Sequence, residues 1–384
     1  MVQSLFQFSL RLPTLRLYGE YDSRAPLPLE RLEHRCHHSE KFHFSDERFV
    51  IRRFVFCSLL VVLIPSLLIS CGTYSGTPLA QPSRLVQLTA IDLDPNNPER
   101  KEFDRLMLLS AYELSSKDPR FGGLSGLTIG ADGRLYAVSD VGYWLSAQMI
   151  LDSEGRLLDL TEWIIEPILS TVGAPVRDPL HDAEALARAP DGSFLVSFEK
   201  LHRIWRYPPP PMTFHSLPVP VAVPTEVKQA PRNGGLEGLA ILPDDRLLAL
   251  TEEFQKPDGS LKGWLIEGER FFEVSYLPSD DFRVTDCAAL SNGDVIVLER
   301  RYIPLVSLSA RLSLVRGEQV QSGAKLVGEE LSKLQYPLAV DNFEGVAVQE
   351  DPVKGTIIYI VSDDNYHPFQ RTLLLQFRLN QSGN

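Results

Sequence analysis

Several catalytic signatures are missing from this sequence of 384 residues. There is no Gly-x-Ser-x-Gly elbow, which argues against a serine hydrolase of the α/β type. There is also no glycine-rich phosphate loop, and no His or Cys spacing typical of a zinc site. Positive charge is scarce: the formal net charge is −12, and no cluster of Lys and Arg offers the phosphate contacts that nucleic-acid binding needs. We therefore expect no nucleic acid as a partner.

Cysteine is rare, with four residues, and one of them ends a distinctive segment. An apolar run over 54–69 follows two arginines and leads into Leu-Ile-Ser-Cys, which ends at Cys71. This run is shorter than the roughly 20 residues that span a bilayer, and its basic start and small-residue exit are typical of a secretory signal. The last four residues resemble the bacterial lipobox. We predict a lipoprotein signal peptide over 50–71, lipidation at Cys71, and a lipid-anchored location in the bacterial cell envelope, facing the periplasm or the exterior.

The segments around this signal have different expected roles. A signal should begin a chain, so residues 1–49 are interpreted as a misplaced start of translation or a disordered extension. Residues 72–83 are rich in Thr, Ser, Gly and Pro, which predicts a flexible tether. The folded domain is then 84–384. With Cys71 lipidated, Cys287 has no partner for an intramolecular disulfide, so this domain must depend on a packed core.

A repeated pattern organises the domain. Five copies of an apolar run, a turn and a second apolar run recur at separations of 49 to 59 residues, and the runs are bordered mostly by acids. Repeats of short strands at this period are typical of propeller blades. We predict an all-β fold, a β-propeller of five or six blades, with the ring closed by an N-terminal strand that joins the last blade. The copies lie at 123–140, 182–199, 235–252, 284–300 and 342–371.

The turns of these repeats predict which residues face each other. Asp191-Gly192 has the composition of a two-residue type I′ turn, and such a turn places Glu184 opposite Glu199. Like charges at facing positions repel, so repeated acidic pairs call for a compensating positive species. The other predicted pairs are Ser125 (the uncharged member) with Asp140, Glu237 with Glu252, Asp286 with Glu299, and Glu344 with Asp363.

These acids are the candidate metal ligands, because the first strand of each blade lines the central channel and gathers them at one mouth. Ca²⁺ takes six to eight oxygen ligands, so we predict a site for Ca²⁺ or another divalent cation. The alternatives are neutralisation by arginine or lysine, protons retained through raised pKa values, or hydrogen bonds from backbone N–H groups of neighbouring blades. The predicted ligands are Glu184, Glu237, Asp286, Glu344, Asp140, Glu199, Glu252 and Asp363.

Five further residues are candidates for catalysis or substrate binding. His367 and His181 are candidate general acids or bases, because histidine titrates nearest neutral pH. Arg301 and Arg371 are candidates to hold a phosphate or carboxylate by paired hydrogen bonds, with Asn365 in the same loop as His367. The alternative is that the histidines are ordinary surface residues and the arginines neutralise neighbouring acids.

Four phrases of the sequence carry a family resemblance: FGGLSG (121–126), GLEGLA (235–240), NFEG (342–345) and SDDN (362–365), the last followed by Gln370-Arg371-Thr372. They resemble the bacterial phytase-like family, also labelled "esterase-like activity of phytase". The resemblance covers roughly residues 105–380. It implies an exported β-propeller with a hydrolase activity, and it brings no established nucleophile or ligand set.

Three functions remain open on this basis. The first is a metal-assisted hydrolase of phosphate or carboxylic esters, acting on a small-molecule ester with the acidic cluster at the channel mouth. The second is a calcium-dependent propeller of the lactonase type. The third is a non-catalytic envelope lipoprotein that binds a ligand or another protein. We favour the first, and we expect a monomer attached to the membrane through lipidated Cys71.

Overall fold

The computed structural model of the chain describes residues 85–303 and 306–380. All of these residues fall within one compact unit of the chain. The predicted extension, signal peptide and tether, with the lipidation site Cys71, lie outside the described residues. Within the described ranges, no helix has the length and apolar character needed to cross a membrane.

The described strands form five sheets, and each sheet is one blade of a propeller. Three strands come before the first blade and are added to the last one: β1 (Val86–Ala90), β2 (Glu102–Phe103) and β3 (Leu106–Ser116). The first blade contains β4 (Leu124–Ile129), β5 (Arg134–Ser139), β6 (Tyr143–Leu151) and β7 (Leu157–Pro167). The second contains β8 (Ala183–Arg188), β9 (Phe194–Phe198), β10 (Arg203–Tyr207) and β11 (Val219–Val221).

The third blade has a fifth strand, Lys325–Leu326, which lies in the sequence between two strands of the fourth blade. It pairs parallel to the strand Arg270–Tyr276 at the outer edge of the third blade. The third blade contains β12 (Leu236–Ile241), β13 (Leu247–Gln255), β14 (Leu261–Glu267), β15 (Arg270–Tyr276) and β19 (Lys325–Leu326). The fourth contains β16 (Arg283–Ala289), β17 (Val295–Ile303), β18 (Ser307–Val315) and β20 (Glu329–Gln335). The fifth contains β21 (Asn342–Asp351), β22 (Gly355–Asp363) and β23 (Thr372–Leu379). Short 3₁₀ helices occupy the connections at Met212–His215, Thr225–Gln229 and Gly317–Gln319.

The ring closes where the two ends of the domain pair. Strand β3 lies antiparallel to β23, with Leu114 opposite Thr372 and Leu106 opposite Leu379. The innermost strands β4, β8, β12, β16 and β21 each pack against the next, and β21 packs against β4. The all-β propeller and its closure by an N-terminal strand are confirmed, and the number of blades in the described residues is five.

The hydrophobic core is divided into five parts, one between each pair of neighbouring blades. Between the first and second blades, the ring centres of Tyr136 and Phe194 are 4.9 Å apart, and those of Trp144 and Tyr207 are 5.1 Å apart. Because both faces of a blade are covered, its strands are continuously apolar, as in 247–250, where all four residues are buried. Apolar burial at roughly 25 cal/mol per Å² is therefore the main stabilising term between blades, and it holds the innermost strands around the channel.

Candidate functional site

The hairpin formed by the first two strands of each of the first four blades has a different turn from the predicted one. In the second blade only Gly192 has a positive φ, +84°, and Asp191 does not, whereas a type I′ turn requires both. The amide of Gly192 donates to the carbonyl of Ala189 at 2.9 Å, and the amide of Ala189 donates to Ser193 at 2.8 Å. This is a type I turn followed by one left-handed residue. The same pair of hydrogen bonds recurs in the first, third and fourth blades.

The register therefore differs from the predicted one, and it shifts again at a β-bulge near the open end of each hairpin. In the third blade Gly238 lies opposite Leu250 and Leu236 lies opposite Thr251, so Glu237 has no facing partner. A shift occurs at the same place in the other four blades. The predicted face-to-face acidic pairs are thus wrong, because an extra residue stands at each leading position. The bulged positions are held by Ser125, Glu184, Glu237, Thr285 and Glu344.

A second set of equivalent positions lies along the second strand of each blade, one residue beyond the pair that borders the bulge. In the third blade the amide of Glu252 donates to the carbonyl of Gly235 at 3.0 Å. In the fourth blade the equivalent residue is Arg300, which lies opposite Arg283, and not the predicted Glu299. One of the five equivalent positions is therefore cationic. The residues at this position are Asp140, Glu199, Glu252, Arg300 and Asp363.

Seven acids and one arginine from these two sets share the channel mouth. Burial raises the pKa of Glu184 well above its usual value, and Glu199 of the same blade raises it further. Glu344 of the fifth blade and Asp140 of the first also raise it, so acids from three blades act on one group. We call this set the mouth ring: Glu184, Glu237, Glu344, Asp140, Glu199, Glu252, Asp363 and Arg300.

One side of the mouth ring contains its own cation. Arg300 donates through Nη2 to Oε1 of Glu252 at 2.8 Å and through Nη1 to Oε1 of Glu344. Asn342 donates through Nδ2 to the same oxygen of Glu344 at 2.8 Å. Burial alone would lower the pKa of Arg300, but the surrounding glutamates raise it overall. The arginine stays charged, and its single positive charge is shared between the two acids.

The opposite side has more acids than cations. Ligand oxygens of Asp182, Glu184 and Glu199 all lie within 4.8 Å of one another. Lys200 contacts one oxygen of Asp182 at 3.0 Å, and one oxygen of Glu199 accepts the amides of Gly234 and Gly235. Glu184 makes no hydrogen bond or ion pair with any described residue. Three carboxylates therefore converge, and among the described residues Lys200 is the only cation that forms an ion pair with any of them.

Glu237 adds an independent sign that this space receives a ligand. Its side chain is only 7% exposed, and among the described residues it has no hydrogen-bond or ion-pair partner. Burial raises its pKa well above the usual value, and Glu252 and Glu184 raise it further. Burial and the neighbouring acids therefore both favour a proton or a bound cation on this group over a bare carboxylate.

The remaining acids of the ring also hold their protons tightly. Burial raises the pKa of Glu344 to about 8, despite the opposing effect of Arg300. Burial likewise raises the pKa of Glu199 and of Asp363 to about 7, and that of Asp140 to about 6. Without a bound cation, most of the ring is therefore partly protonated at neutral pH.

Two predicted ligands lie elsewhere. Asp286 occupies the ladder position that glycine fills in three other blades; it is fully buried and accepts the amides of Cys287 and Val346, each at 2.8 Å. Glu299 points to the opposite face of its strand and accepts Nε and Nη2 of Arg311 at 2.8 and 2.7 Å. Both miss the mouth because the ring positions of the fourth blade are Thr285 and Arg300, each one residue away from the predicted acid.

The two bulge positions with uncharged side chains, Ser125 and Thr285, form hydrogen bonds to neighbouring blades. The hydroxyl of Ser125 donates to the carbonyl of Ala183 in the second blade. The hydroxyl of Thr285 donates to the carbonyl of Phe343 in the fifth blade at 3.2 Å. Sequence reasoning identified Ser125 as the uncharged member of the ring but missed Thr285.

The candidate histidines lie on the same face as the ring. Nδ1 of His181 donates to the carbonyl of Asp140 at 2.6 Å, so a neutral ring keeps its lone pair on Nε2. Nδ1 of His367 accepts the amide of Phe369 at 3.4 Å, so a neutral ring has its proton on Nε2. His367 and Asn365 line a cleft of about 700 Å³ that Arg300 and Glu344 also line.

The candidate arginines are not equivalent. Arg301 points away from its neighbour Arg300: it lies over the ring of Phe282, 5.0 Å from the centroid, and donates to the carbonyl of Asp280. Arg371 lies 3.7 Å from Glu113 and 3.8 Å from Asp341. Arg371 matches the alternative in which these arginines neutralise acids, whereas Arg301 forms no ion pair with an acid of the described chain. Arg300 is the arginine that reaches the ring.

Asp182 was also missing from the predicted metal ligands. It stands two residues before Glu184 in the sequence, and the second repeat is the one copy that has an acid at this position together with an acid at the bulge. That doubled acid, Asp-Ala-Glu, is the signal in the sequence that singles out the second blade.

The fold and site define a five-bladed propeller with an acidic channel mouth. The family model of the phytase-like proteins, described as "esterase-like activity of phytase", matches residues 119–366. This is more than half of the chain, and the chain belongs to that family. The recognition from the sequence phrases is thus confirmed. No curated protein matches the chain significantly.

Solved propeller structures resemble the chain only distantly. A putative gluconolactonase has 13% identity and a TM-score of 0.41, covering 77% of this chain and 94% of its own. A PQQ-bound aldose sugar dehydrogenase from Streptomyces coelicolor has 13% identity and a TM-score of 0.38, covering 78% and 100%. Virginiamycin B lyase from Staphylococcus aureus has 10% identity and a TM-score of 0.38, covering 77% and 99%. At this distance the likenesses say nothing about what this chain binds or converts.

Proposed function

We propose that this protein is a metal-assisted hydrolase of esters, carboxylic or phosphoric, with its cation held by Asp182, Glu184 and Glu199. The observation that carries the proposal is the pair Glu184 and Glu237, two carboxyl groups at the channel mouth with no partner in the described chain. The donor set consists of carboxylate oxygens, which suit a hard cation such as Ca²⁺. The residues present therefore fit the predicted cation.

The chain positions these ligands before any ion arrives. The amides of Gly234 and Gly235 fix one oxygen of Glu199, and Lys200 fixes one oxygen of Asp182. The β-bulge turns Glu184 out of its ladder toward them. When bound, a divalent cation supplies Lewis-acid polarisation of a carbonyl or phosphoryl oxygen.

Groups for proton transfer lie beside this site. Asp363, with a pKa of about 7, can accept a proton from water near neutral pH, which is the range that favours a general base. His367 directs its Nε2 proton away from Phe369 and lines the adjoining cleft, so it is placed to donate to a leaving oxygen. His181 donates to the carbonyl of Asp140, and this contact makes it a positioning residue.

The test combines metal binding with turnover. We expect Ca²⁺ to raise the melting temperature of the purified chain, and we expect EDTA to reverse the rise. Hydrolysis of 4-nitrophenyl acetate, 4-nitrophenyl phosphate and a γ-lactone, which is a cyclic carboxylic ester, is then measured with Ca²⁺ and with EDTA. Glu184→Gln and Glu237→Gln should each reduce turnover on the order of 100-fold.

A matched control is Glu318→Gln, an exposed acid on a 3₁₀ helix, which should change neither result. Turnover that persists in EDTA and in both ring variants would remove the ring as the catalytic site. Stabilisation by Ca²⁺ without turnover of any substrate would instead favour an envelope lipoprotein that binds a ligand or holds a structural ion.

We also propose that the protein acts at the bacterial envelope, attached through Cys71. The support is the order of basic, apolar and lipobox segments in the sequence. Incorporation of labelled palmitate into the wild-type chain and not into Cys71→Ser is the expected result. Equal labelling of both would contradict the anchor.

A further inference from the structure

A cleft of about 700 Å³ opens directly beside the mouth ring. Arg300 and Glu344 belong to both, so the cleft adjoins the side of the ring that contains Arg300. Polar side chains of the cleft are Asn342, Asn365 and Gln370. A substrate bound across the channel mouth can therefore extend one substituent into this space.

The outer wall of the cleft is apolar and exposed. Tyr302 is 65% exposed and Phe369 is 88% exposed, and Leu308 and Val340 complete the wall. Large apolar side chains that are exposed together at a concave site mark a place where a ligand covers them. Their position beside the ring makes them part of the same site.

The loop that contains Phe369 has a defined conformation. Asn365 and Tyr366 are consecutive non-glycine residues with φ values of +47° and +50°, a conformation that costs free energy and persists only where surrounding contacts impose it. The amide of Asn365 donates to Oδ1 of Asp363 at 2.6 Å, and the amide of Tyr366 donates to Oδ1 of Asp364 at 3.1 Å. The loop thus starts from the ring residue Asp363.

The turn continues to the aromatic wall. The amide of His367 donates to the carbonyl of Asp364 at 2.7 Å, and the amide of Gln370 donates to the carbonyl of His367 at 3.0 Å. The rings of His367 and Phe369 are 5.5 Å apart. These backbone hydrogen bonds fix the loop in a conformation that leaves the apolar ring of Phe369 exposed to solvent.

We propose that this cleft binds the hydrophobic acyl or aryl group of the ester substrate, with Phe369 and Tyr302 as its specificity-determining residues. The proposal rests on the proposed hydrolase function and adds the substrate class: esters with a sizeable apolar substituent, rather than small or fully polar ones. The polar inner wall then faces the ester group, and the aromatic outer wall faces the hydrocarbon.

Binding can be tested without turnover by using acyl anilides, whose amide bond replaces the ester. Acetanilide, butyranilide and hexananilide are titrated into the full chain by calorimetry, in Ca²⁺ and in EDTA. Burial of one methylene should tighten binding on the order of 2- to 4-fold, so affinity should rise steadily from two to six carbons. Phe369→Ala and Tyr302→Ala should each flatten this rise, whereas Val353→Ala, at an exposed hairpin tip, should leave it unchanged.

Hydrolysis of 4-nitrophenyl acetate, butyrate and hexanoate is measured in parallel, and the gain in kcat/KM with chain length should follow the anilide series. An affinity that does not change with chain length would overturn the apolar subsite even if the esters are hydrolysed. A clear chain-length dependence of anilide binding in a protein that hydrolyses no ester would support the subsite and overturn the hydrolase function. The two proposals thus fail separately.

Discussion

The two sides of the mouth ring differ in how the negative charge of their carboxylates is compensated. On one side Arg300 forms ion pairs with both Glu252 and Glu344 and compensates part of their charge within the chain. On the other side, Asp182, Glu184 and Glu199 converge, and among the described residues only Lys200 forms an ion pair with one of them. The difference comes from one position: the fourth blade has arginine where the other four blades have an acid. A propeller whose blades were all alike would lack this asymmetry, and the asymmetry leaves one side open to an external cation.

The largest expected effect comes from removing the internal cation. Arg300→Met removes the ion-pair partner that Glu252 and Glu344 share, and breaking such a buried pair costs about 3–5 kcal/mol. The free energy of unfolding, measured with urea at pH 7.5, should fall by that amount. Arg301→Met is the matched control: its guanidinium lies over Phe282 outside the ring, and its loss should cost about 1 kcal/mol or less. Equal losses in the two variants would contradict the asymmetry.

The next effect is a pH dependence of the metal-free protein. A carboxyl group whose pKa is raised on folding takes up a proton on folding, so stability falls as pH rises from its unfolded pKa through its folded pKa. Asp140 at about 6, and Glu199 and Asp363 at about 7, start from ordinary values of 3.8 or 4.5, which places this fall between about pH 4 and pH 7. In EDTA the free energy of unfolding should decrease on the order of 2–4 kcal/mol over that range. Ca²⁺ should flatten the curve, and a flat curve in EDTA would mean that the ring acids are not protonated on folding.

A smaller effect distinguishes Glu237 from Glu252. Glu237→Gln removes an unpaired carboxylate, so in EDTA at pH 8 it should stabilise the fold by about 1–2 kcal/mol and reduce the stabilisation by Ca²⁺. Glu252→Gln removes a partner of Arg300 and should destabilise the fold under the same conditions. Urea unfolding of both variants, with and without Ca²⁺, makes the comparison. The same sign for both would place the two acids in similar environments.

The smallest effect concerns the uncharged ring positions. Thr285→Val removes the hydrogen bond to Phe343 in the next blade and keeps the side-chain shape, so a loss of about 0.5–1.5 kcal/mol is expected. Binding of Ca²⁺ should not change, because the fourth blade contributes to the neutralised side. Reduced Ca²⁺ affinity in Thr285→Val would show instead that this hydroxyl belongs to the open side.

Much of this site was visible in the sequence, but its register was not. The turn at Asn292-Gly293 predicted that Asp286 and Glu299 face each other in the ring, whereas the ring positions of the fourth blade are Thr285 and Arg300. A shift by one residue reverses the face of a strand, so both predicted acids lie outside the ring. Asp182 was missed because it lies before the bulge, and only the folded chain brings it next to Glu199.

The sequence by itself determined the blade count to within one, the strand-turn-strand unit and the gathering of acids at one end of it, because these follow from local periodicity and turn composition. The tertiary structure decided which turn forms, where each bulge falls and which acids are neutralised by Arg300, because these depend on contacts between blades some fifty residues apart in the chain. The unequal ring is a property of the closed propeller, since its charges meet only once the fifth blade packs against the first.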